Sequence, residues 1–205
     1  MSFISAFFYD KILAPAEEAC LREWRHDLLK NASGDVLEIG AGTGSNLDFY
    51  PDTLLTLVLS EPDKHMRRQM ENKITTSKHD VSVTAGTAEN IEAENESYDF
   101  VVISLVCCSV THLETALLEI KRVLRPEGRL IFMEHVAATE GTKRRRWQDL
   151  VNPFWRKIAG NCHLNRETES AILAAGFEIL EIKHESMRKA MPLVRPTIRG
   201  IAIKG

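Results

Sequence analysis

The stretch Asp35-Val-Leu-Glu-Ile-Gly-Ala-Gly-Thr-Gly44 decides the fold of this chain of 205 residues. Its first half is an apolar run typical of a buried strand, and its second half places glycine at every other position. Glycine lets the chain turn sharply and lets a ligand lie against bare backbone. The helix that follows such a loop opens with free N–H groups at its positive end. The sequence therefore predicts a ligand site between a strand end and a helix start.

The spacing of the glycines indicates which ligand fits. Dinucleotide-binding loops usually carry G-x-G-x-x-G, but here Gly40 and Gly42 are followed by Gly44, one residue early, and Ser45 holds the dinucleotide position. We expect the loop to cradle a small zwitterion such as an amino-acid moiety. A nicotinamide-dependent oxidoreductase remains an alternative that this spacing disfavours.

Outward from the loop, strands and helices alternate. We predict strands at residues 35–39, 53–60, 81–85, 98–106, 129–134, 177–184 and 198–203, and helices at residues 14–30, 45–50, 63–73, 113–124, 143–159 and 166–175. Residues 125–128 are expected to form a turn, and Pro153 to break its helix. The alternation predicts an α/β fold, a Rossmann-like three-layer α/β/α sandwich around a mostly parallel seven-stranded sheet with an antiparallel C-terminal strand.

Composition excludes several classes of protein. With 44% hydrophobic and 27% charged residues the chain is an ordinary globule, and its net charge of −3 disfavours a nucleic-acid partner. No apolar run is long enough to span a bilayer. An apolar N-terminal patch lacks the basic leader of a signal peptide and is expected to close over the ligand or to lie on a membrane surface; it comprises Phe3, Ile4, Phe7, Phe8 and Tyr9.

The four cysteines form no C-x-x-C pair, and Cys107 and Cys108 are adjacent. The pattern supports neither a zinc ribbon nor a thioredoxin site, so no metal site is predicted. Neighbours in a strand point to opposite faces, which makes a disulfide framework improbable. We expect a cytoplasmic protein.

In open α/β sheets, ligands bind beyond the carboxyl ends of the strands. Glu61 ends the second strand, where a carboxylate can accept both hydroxyls of a ribose; the alternative is a cap on the helix after Pro62. The segment Thr87-Ala-Glu89 follows the third strand and suits either an adenine edge or the start of a helix.

These motifs, followed by Arg122-Val-Leu-Arg-Pro-Glu-Gly128, resemble the class I S-adenosylmethionine-dependent methyltransferases in their order along the chain. Three later motifs are more specific: Leu105-Val-Cys-Cys-Ser-Val110, Met133-Glu-His-Val-Ala137 and Arg166-Glu-Thr168 resemble the animal methyltransferase-like family of small alkyl-thiol S-methyltransferases. The resemblance implies S-adenosyl-L-methionine as cofactor, bound by Tyr9, Glu38, Gly40, Gly42, Gly44, Glu61, Pro62, Thr87, Ala88, Glu89, Ser104 and Leu105.

The resemblance also implies a methyltransferase that acts on a small apolar acceptor, with a thiol favoured. An N- or C-methyltransferase of a lipid amine or quinone remains open, as does a cofactor-binding protein without catalysis. It implies one domain, with residues 1–30 as lid helices, 31–137 as the cofactor-binding core, 138–165 as a helical insert over the acceptor pocket, and 166–205 as a C-terminal helix and strand pair.

The candidate catalytic residues follow the fourth and fifth strands. His135 has the reference pKa of a proton acceptor, with His163 as a second candidate, and Glu134 is expected to orient His135 or to contact the acceptor. Cys108 is a pocket wall, a hydrogen-bond partner or a transient methyl acceptor. Three aromatic residues are read as an apolar lid or as core of the insert, namely Trp147, Phe154 and Trp155; the basic run at residues 143–146 is read as a solvated helix face or a contact for anionic lipid.

Overall fold

The computed structural model describes the backbone of residues 3–205 and the side chains from residue 9 onward. The strands are β1 (Gly34–Ile39), β2 (Leu54–Ser60), β3 (Val81–Thr84), β4 (Tyr98–Ser104), β5 (Leu124–His135), β6 (Phe177–Ser186) and β7 (Pro196–Lys204). The α-helices are α1 (Phe3–Ala16), α2 (Arg22–Leu29), α3 (Lys64–Ile74), α4 (Leu113–Val123), α5 (Lys143–Ile158) and α6 (Thr168–Ala174). Short 3₁₀ turns cover Leu47–Phe49 and Pro192–Val194. Of the predicted N-terminal patch, all side chains except that of Tyr9 lie outside the described residues.

The seven strands form one sheet in the order β3-β2-β1-β4-β5-β7-β6. Strands β1 to β5 pair in parallel, and β7 runs antiparallel to both β5 and β6. The predicted fold class is therefore confirmed. Chain order reverses between β1 and β4, and the carboxyl ends of these two strands flank the crevice where such sheets bind ligands.

Successive residues of the central strands pack alternately into two apolar layers, one on each face of the sheet. Val36 and Val102 face a cluster that includes Trp24 of α2, whereas Leu37 faces a second cluster that includes Leu117 of α4. The alternation follows from the pleat of a strand, which sends neighbouring side chains to opposite faces. Both faces of the central strands are thus covered, which leaves the carboxyl ends of these strands as the place for ligand-binding groups.

The N-terminal helix differs from the prediction. It begins at Phe3 rather than at residue 14, and a π turn at Glu17–Leu21 separates α1 from α2. The N–H of Arg22 donates to the carbonyl oxygen of Glu17, five residues back. Pro15 lies inside α1 just before this turn and has no N–H for the helical ladder. A π turn of this kind often marks a functional site.

The expected turn at residues 125–128 is wrong, because these residues belong to β5 as a bulge. Tyr98 pairs with Leu124 and Phe100 with Arg129, so the register shifts across the segment. Arg125 holds the bulge to the sheet by ion pairs of 2.6 Å to Asp99 and 2.8 Å to Asp35. Contacts between distant residues therefore extend the strand.

The expected break at Pro153 is also wrong, since α5 continues through it. Two side chains anchor the helix on the N-terminal side of the proline. Gln148 accepts a hydrogen bond from the Ala138 amide at 2.7 Å, and Asn152 accepts one from the Leu164 amide at 2.9 Å. These tertiary contacts offset the one backbone hydrogen bond that proline removes.

Helix α5 also turns an apolar face outward. The exposed fractions of Trp147, Leu150, Phe154 and Ile158 are 58%, 71%, 64% and 62%. Trp147 and Phe154 therefore do not form core, and only the half-buried Trp155 of the three predicted aromatic residues lies against the protein. Within residues 3–205, none of the helices has both the length and the apolar character required to cross a bilayer.

Candidate functional site

The glycine loop after β1 turns through three left-handed residues. The φ angles of Gly40, Gly42 and Gly44 are 63°, 58° and 78°. A Cβ at Gly40 would lie 2.6 Å from the Val106 side chain, and one at Gly44 would lie 2.8 Å from that of Leu47. A Cβ at Gly42 would meet only a backbone oxygen at 4.0 Å. The outer glycines permit close packing, while the middle one leaves bare backbone facing open space.

Glu61 joins this loop to the end of β2. Its carboxylate accepts hydrogen bonds from the Gly42 amide at 2.9 Å and from the Asp63 amide at 2.8 Å. Burial raises the pKa of Glu61 above its ordinary value. The N-cap of α3 is Asp63, which accepts from the amides of His65 and Met66. The alternative of Glu61 as the helix cap is therefore not supported.

Glu38 supports the loop from below and is 3% exposed. It accepts hydrogen bonds from Asn46 at 2.9 Å and from the Tyr50 hydroxyl at 2.7 Å. Arg25 in turn donates to Asn46 at 2.6 Å and forms an ion pair with Glu17 at 2.7 Å. Burial raises the pKa of Glu38 to about 7. The glycine loop thus lies on a buried polar network whose other members the sequence analysis missed.

Helix α1 crosses the same loop. Asp10 accepts a hydrogen bond of 2.5 Å from the Thr43 hydroxyl and one of 3.0 Å from Lys73. Burial raises the pKa of the neighbouring Tyr9 above its ordinary value, and the Cys108 thiol adds to this effect. Tyr9 therefore lies within electrostatic reach of Cys108.

The loop after β3 is attached to its neighbours through both of its ends. The Gly86 carbonyl accepts a hydrogen bond of 2.9 Å from Ser60, and Ala88 is buried in the core. Glu89 accepts hydrogen bonds from the amides of Thr111 at 2.7 Å and His112 at 3.3 Å, at the start of α4. No helix starts at Thr87, which instead forms an isolated bridge with Asn90.

The end of β4 is strained. Leu105 has a φ of 61°, in the left-handed region that disfavours residues with a side chain. Its amide donates to the Met133 carbonyl at 2.8 Å, and Ser104 accepts a hydrogen bond of 3.3 Å from Asn46. Strained residues of this kind cluster at functional sites. Here the bend places Val106 against Gly40 and turns the following cysteines towards β5.

Glu134, at the end of β5, is fully buried. Its carboxylate accepts a hydrogen bond of 2.9 Å from the Val106 amide. Burial raises the pKa of Glu134 to about 7. Since Glu134 and His135 are neighbours in a strand, their side chains point to opposite faces. The contact of Glu134 is thus with the loop after β4.

His135 instead lies in a cluster with two cysteines. Its Nε2 atom is 3.0 Å from the Sγ atom of Cys162. The potential ligand atoms of Cys108, His135 and Cys162 all lie within 4.8 Å of one another. The hydrogen bond with Cys108, together with burial, raises the pKa of the Cys162 thiol. Cys108 and His135 are among the candidate catalytic residues predicted from the sequence, whereas Cys162 is not one of them.

Backbone contacts hold this cluster in place. The His163 amide donates to the Cys108 carbonyl at 2.7 Å, and Asn161 donates to the Ser109 carbonyl at 2.9 Å. Arg166 donates to the carbonyls of Cys107 and Val110. Burial lowers the pKa of His163 to about 4. The second histidine candidate thus contributes its backbone, and the loop after α5 is joined to the loop after β4.

A cleft of about 750 Å³ opens at the opposite edge of the sheet, lined by residues 31, 33–34, 99–100 and 125–129. Two of its four charged residues, Asp99 and Arg125, are paired with each other. Because ligands of such sheets bind at the carboxyl edge, this cleft does not compete with the glycine loop and the cluster as the candidate site.

Comparisons with known proteins agree with this geometry. A family model described as a methyltransferase domain matches residues 37–132. The chain is 36% identical over 172 residues to the human thiol S-methyltransferase TMT1A, covering 82% of this chain and 70% of that protein. It is 35% identical over 181 residues to human thiol S-methyltransferase TMT1B, covering 86% and 74%.

A solved SAM-dependent methyltransferase from Thermotoga maritima shares the fold, with a TM-score of 0.68 and 23% identity over 98% of this chain and 97% of that one. The methyltransferase domain and this SAM-dependent neighbour imply S-adenosyl-L-methionine as the cofactor. From the motif order, the sheet topology and the identity to TMT1A and TMT1B, we conclude that the chain belongs to the family of S-adenosylmethionine-dependent methyltransferases that contains these two proteins.

Proposed function

We propose that this protein methylates the sulfur of a small apolar thiol. The observation that carries the proposal is the cluster of Cys108, His135 and Cys162, which lies at the carboxyl ends of β4 and β5. The loop after β4 that carries Cys108 packs against the glycine loop through Val106. A polarisable, partly apolar cluster of this kind suits a sulfur acceptor. The identity to TMT1A and TMT1B, both named thiol S-methyltransferases, supports the same acceptor class.

The residues at the carboxyl edge fit S-adenosylmethionine, which supplies a methyl group on a positively charged sulfur when bound. The open backbone at Gly42 leaves room for the amino-acid end. A carboxylate offers about four acceptor positions, and Glu61 uses two of them in hydrogen bonds, so it can also accept ribose hydroxyls. We assign the adenine side to Thr87, Ala88 and Glu89.

The remaining predicted cofactor residues shape this site. Glu38 and Ser104 hold Asn46 beneath the loop, and Pro62 follows the ribose-binding carboxylate. Leu105 carries the bend after β4. We assign Tyr9 to the cover of the cofactor and residues 1–30 to a lid; the hydrogen bond from Thr43 of the loop to Asp10 of α1 supports this assignment.

At the acceptor side the reactive species is the thiolate, and an ordinary thiol with a pKa near 8.5 is mostly protonated at neutral pH. We propose His135 as the group that receives the proton and Cys108 and Cys162 as the walls that hold the sulfur. Glu134 positions the wall by holding the Val106 amide. Holding the acceptor thiolate against the methyl-bearing sulfur of the cofactor is expected to supply much of the rate enhancement. Near-attack geometry of this kind lowers the activation barrier by up to about 7–11 kcal/mol.

The insert of residues 138–165 is proposed to cover the acceptor and to keep water out, because it delivers Cys162 to the cluster. On its outer side, the exposed Trp147 and Leu150 lie beside Lys143 and Arg146. An apolar face with basic neighbours suits the surface of an anionic membrane. The described cysteines are free, which supports a reducing compartment such as the cytoplasm. The apolar and basic face of the insert supports peripheral contact with a membrane.

The acceptor class is tested with three acceptors of matched alkyl chain, an alkanethiol, an alkylamine and an alkylated quinol. Release of S-adenosylhomocysteine is measured for each. We expect kcat/KM for the thiol to exceed the other two by at least about tenfold. Turnover of the amine or quinol without turnover of the thiol would overturn the proposal.

A further inference from the structure

The cluster of Cys108, His135 and Cys162 offers more than a pocket wall. His135 is only 5% exposed, and its Nδ1 atom has no hydrogen-bond partner among the residues that the structure describes. Its described polar contact is the Cys162 sulfur at 3.0 Å. The nitrogen that faces the thiols is therefore Nε2, and a buried imidazole whose described side-chain partner is a thiol presents a lone pair or a proton to sulfur, as a metal ligand does.

Two thiols and one imidazole form a ligand set that prefers zinc to the hard cations. Soft sulfur ligands select Zn²⁺ over the hard cations Mg²⁺ and Ca²⁺. Tetrahedral Zn²⁺ has bonds of about 2.3 Å to sulfur and about 2.0–2.1 Å to nitrogen. Ligand atoms of a tetrahedron of that size lie nearer than the 4.8 Å limit that all three atoms meet. Only small side-chain movements are needed to close the site.

The number of ligands distinguishes the kind of zinc site. Structural sites use four protein ligands, whereas catalytic sites use three and keep one position open. Within the described part of the chain, no fourth His, Cys, Asp or Glu joins this group. The open position would face the acceptor side, because Cys108 follows β4 and His135 ends β5 at the carboxyl edge of the sheet.

The scaffold around the cluster is suited to holding a metal. His135 lies in β5 and pairs with Thr197 of β7. Cys108 and Cys162 belong to loops that are joined by the hydrogen bonds from His163, Asn161 and Arg166. Each ligand is thus carried by an element that is fixed independently of any ion, which is the arrangement that lets a site exist before the metal arrives.

We propose that Cys108, His135 and Cys162 bind a Zn²⁺ ion, and that its open position receives the sulfur of the acceptor as a thiolate. This inference rests on the proposed thiol S-methylation. With zinc bound, the metal takes over the activation of the thiol and His135 acts as a ligand; without zinc, His135 keeps the proton-accepting role proposed above.

Binding of the acceptor to zinc needs no oxidant or reductant, because Zn²⁺ undergoes no redox change. Metal binding releases one proton from each cysteine thiol to solvent. When the acceptor binds, its sulfur forms a bond to zinc, a zinc-bound water leaves, and the thiol proton passes to solvent. The acceptor is then held as a thiolate at neutral pH, since a coordinated thiol is deprotonated.

The test uses the full chain, purified under reducing conditions without a polyhistidine tag. After dialysis with Zn²⁺ or Co²⁺, metal content is measured by mass spectrometry and the cobalt form by absorption. The variants are Cys108→Ser, His135→Ala and Cys162→Ser. Cys20→Ser is the matched control, since Cys20 is also buried but contacts Ala16 rather than the cluster. Circular dichroism checks that each variant folds.

We expect one equivalent of metal and a thiolate-to-cobalt absorption band in the wild type and in Cys20→Ser. Each cluster variant should lose more than about tenfold in affinity, because even substitutions around the ligands of a zinc site cost 10–100-fold. Without cofactor, an alkanethiol should change the cobalt spectrum and the corresponding alcohol should not. Equal metal binding by Cys162→Ser and Cys20→Ser would overturn the site.

The two proposals fail in different ways. Thiol methylation by protein that binds no zinc would leave the proposed function intact and overturn the metal site. Zinc binding without any thiol methylation would overturn the proposed function and the role of the open position together. A Cys108–Cys162 disulfide that persists under reducing conditions would overturn the metal site as well.

Discussion

The glycine loop and the Cys108–His135–Cys162 cluster lie at the same edge of one sheet, yet they are built in different ways. The loop is a continuous segment in which backbone makes the site and the middle glycine is left bare. The cluster is made of side chains from three separate segments. A site made of backbone can therefore be predicted from a short stretch of sequence, whereas a site made of side chains from separate segments depends on the whole fold.

The largest expected effect is a loss of activity on substitution of a residue in the cluster. His135→Ala should lower kcat/KM for an alkanethiol by about 10²–10⁴-fold, the range for losing a group that handles the proton. His163→Ala should cost much less, because the contact of His163 with the cluster is made by its backbone amide. Steady-state rates of both variants check this. Equal losses would mean that the cluster does not centre on His135.

The next effect is on the packing of the loop. Gly40→Ala should lower the free energy of unfolding by about 3 kcal/mol, combining overpacking against Val106 with a left-handed φ. Urea unfolding measures it. The partner substitution that should relieve the crowding is Val106→Ala; a double variant no more stable than Gly40→Ala alone would contradict the predicted contact.

A third effect concerns pH. The pKa of Glu38 is raised from 4.5 to about 7 in the folded chain. The folded chain therefore holds an extra proton between these values, so its stabilising effect is complete below about pH 4.5 and is lost as pH rises through 7. At 1.36 kcal/mol per unit the loss is about 3 kcal/mol at most.

Glu38→Gln keeps a polar group of the same shape between Asn46 and Tyr50 and removes this titration. Urea unfolding at pH 5 and pH 8 should show a smaller decline for the variant than for the wild type. Because Glu134 titrates in the same range, the difference between the two proteins is the informative quantity. Identical declines would show that the network around Glu38 is not protonated as described.

The smallest effect on stability is expected at Gly42. Gly42→Ala should cost about 1 kcal/mol for its left-handed φ, since its Cβ meets no side chain. The same Cβ would occupy the space assigned to the cofactor, so affinity for S-adenosylhomocysteine should fall by about tenfold or more. Calorimetric titration measures it. Unchanged affinity would remove Gly42 from the cofactor site.

The sequence was sufficient for the sheet and the loop because each depends on neighbouring residues. Apolar runs marked the strands, and the glycine spacing marked the turn. The bulge at residues 125–128 could not be predicted, since it depends on Arg125 reaching Asp35 and Asp99 in other strands. The continuous α5 likewise depends on Gln148 and Asn152 binding distant amides.

The residues of the candidate site also differ in how far they could be predicted from the sequence. Gly40, Gly42 and Glu61 carry local signals, whereas Arg25 reaches Asn46 from another helix and has no signal at all. Cys162 is 27 residues from His135 in sequence, and it forms no C-x-x-C pair with another cysteine. Its membership of the cluster follows only from the hydrogen bonds that dock its loop on the end of β4.

The most direct test asks whether the glycine loop and the cluster form one thiol-methylating site. The protein is incubated with an alkanethiol and S-adenosylmethionine that carries a trideuterated methyl group, and the product is identified. The account predicts a thioether that carries the intact labelled methyl, detected by mass spectrometry. Folded, cofactor-binding protein that yields no labelled thioether would contradict it.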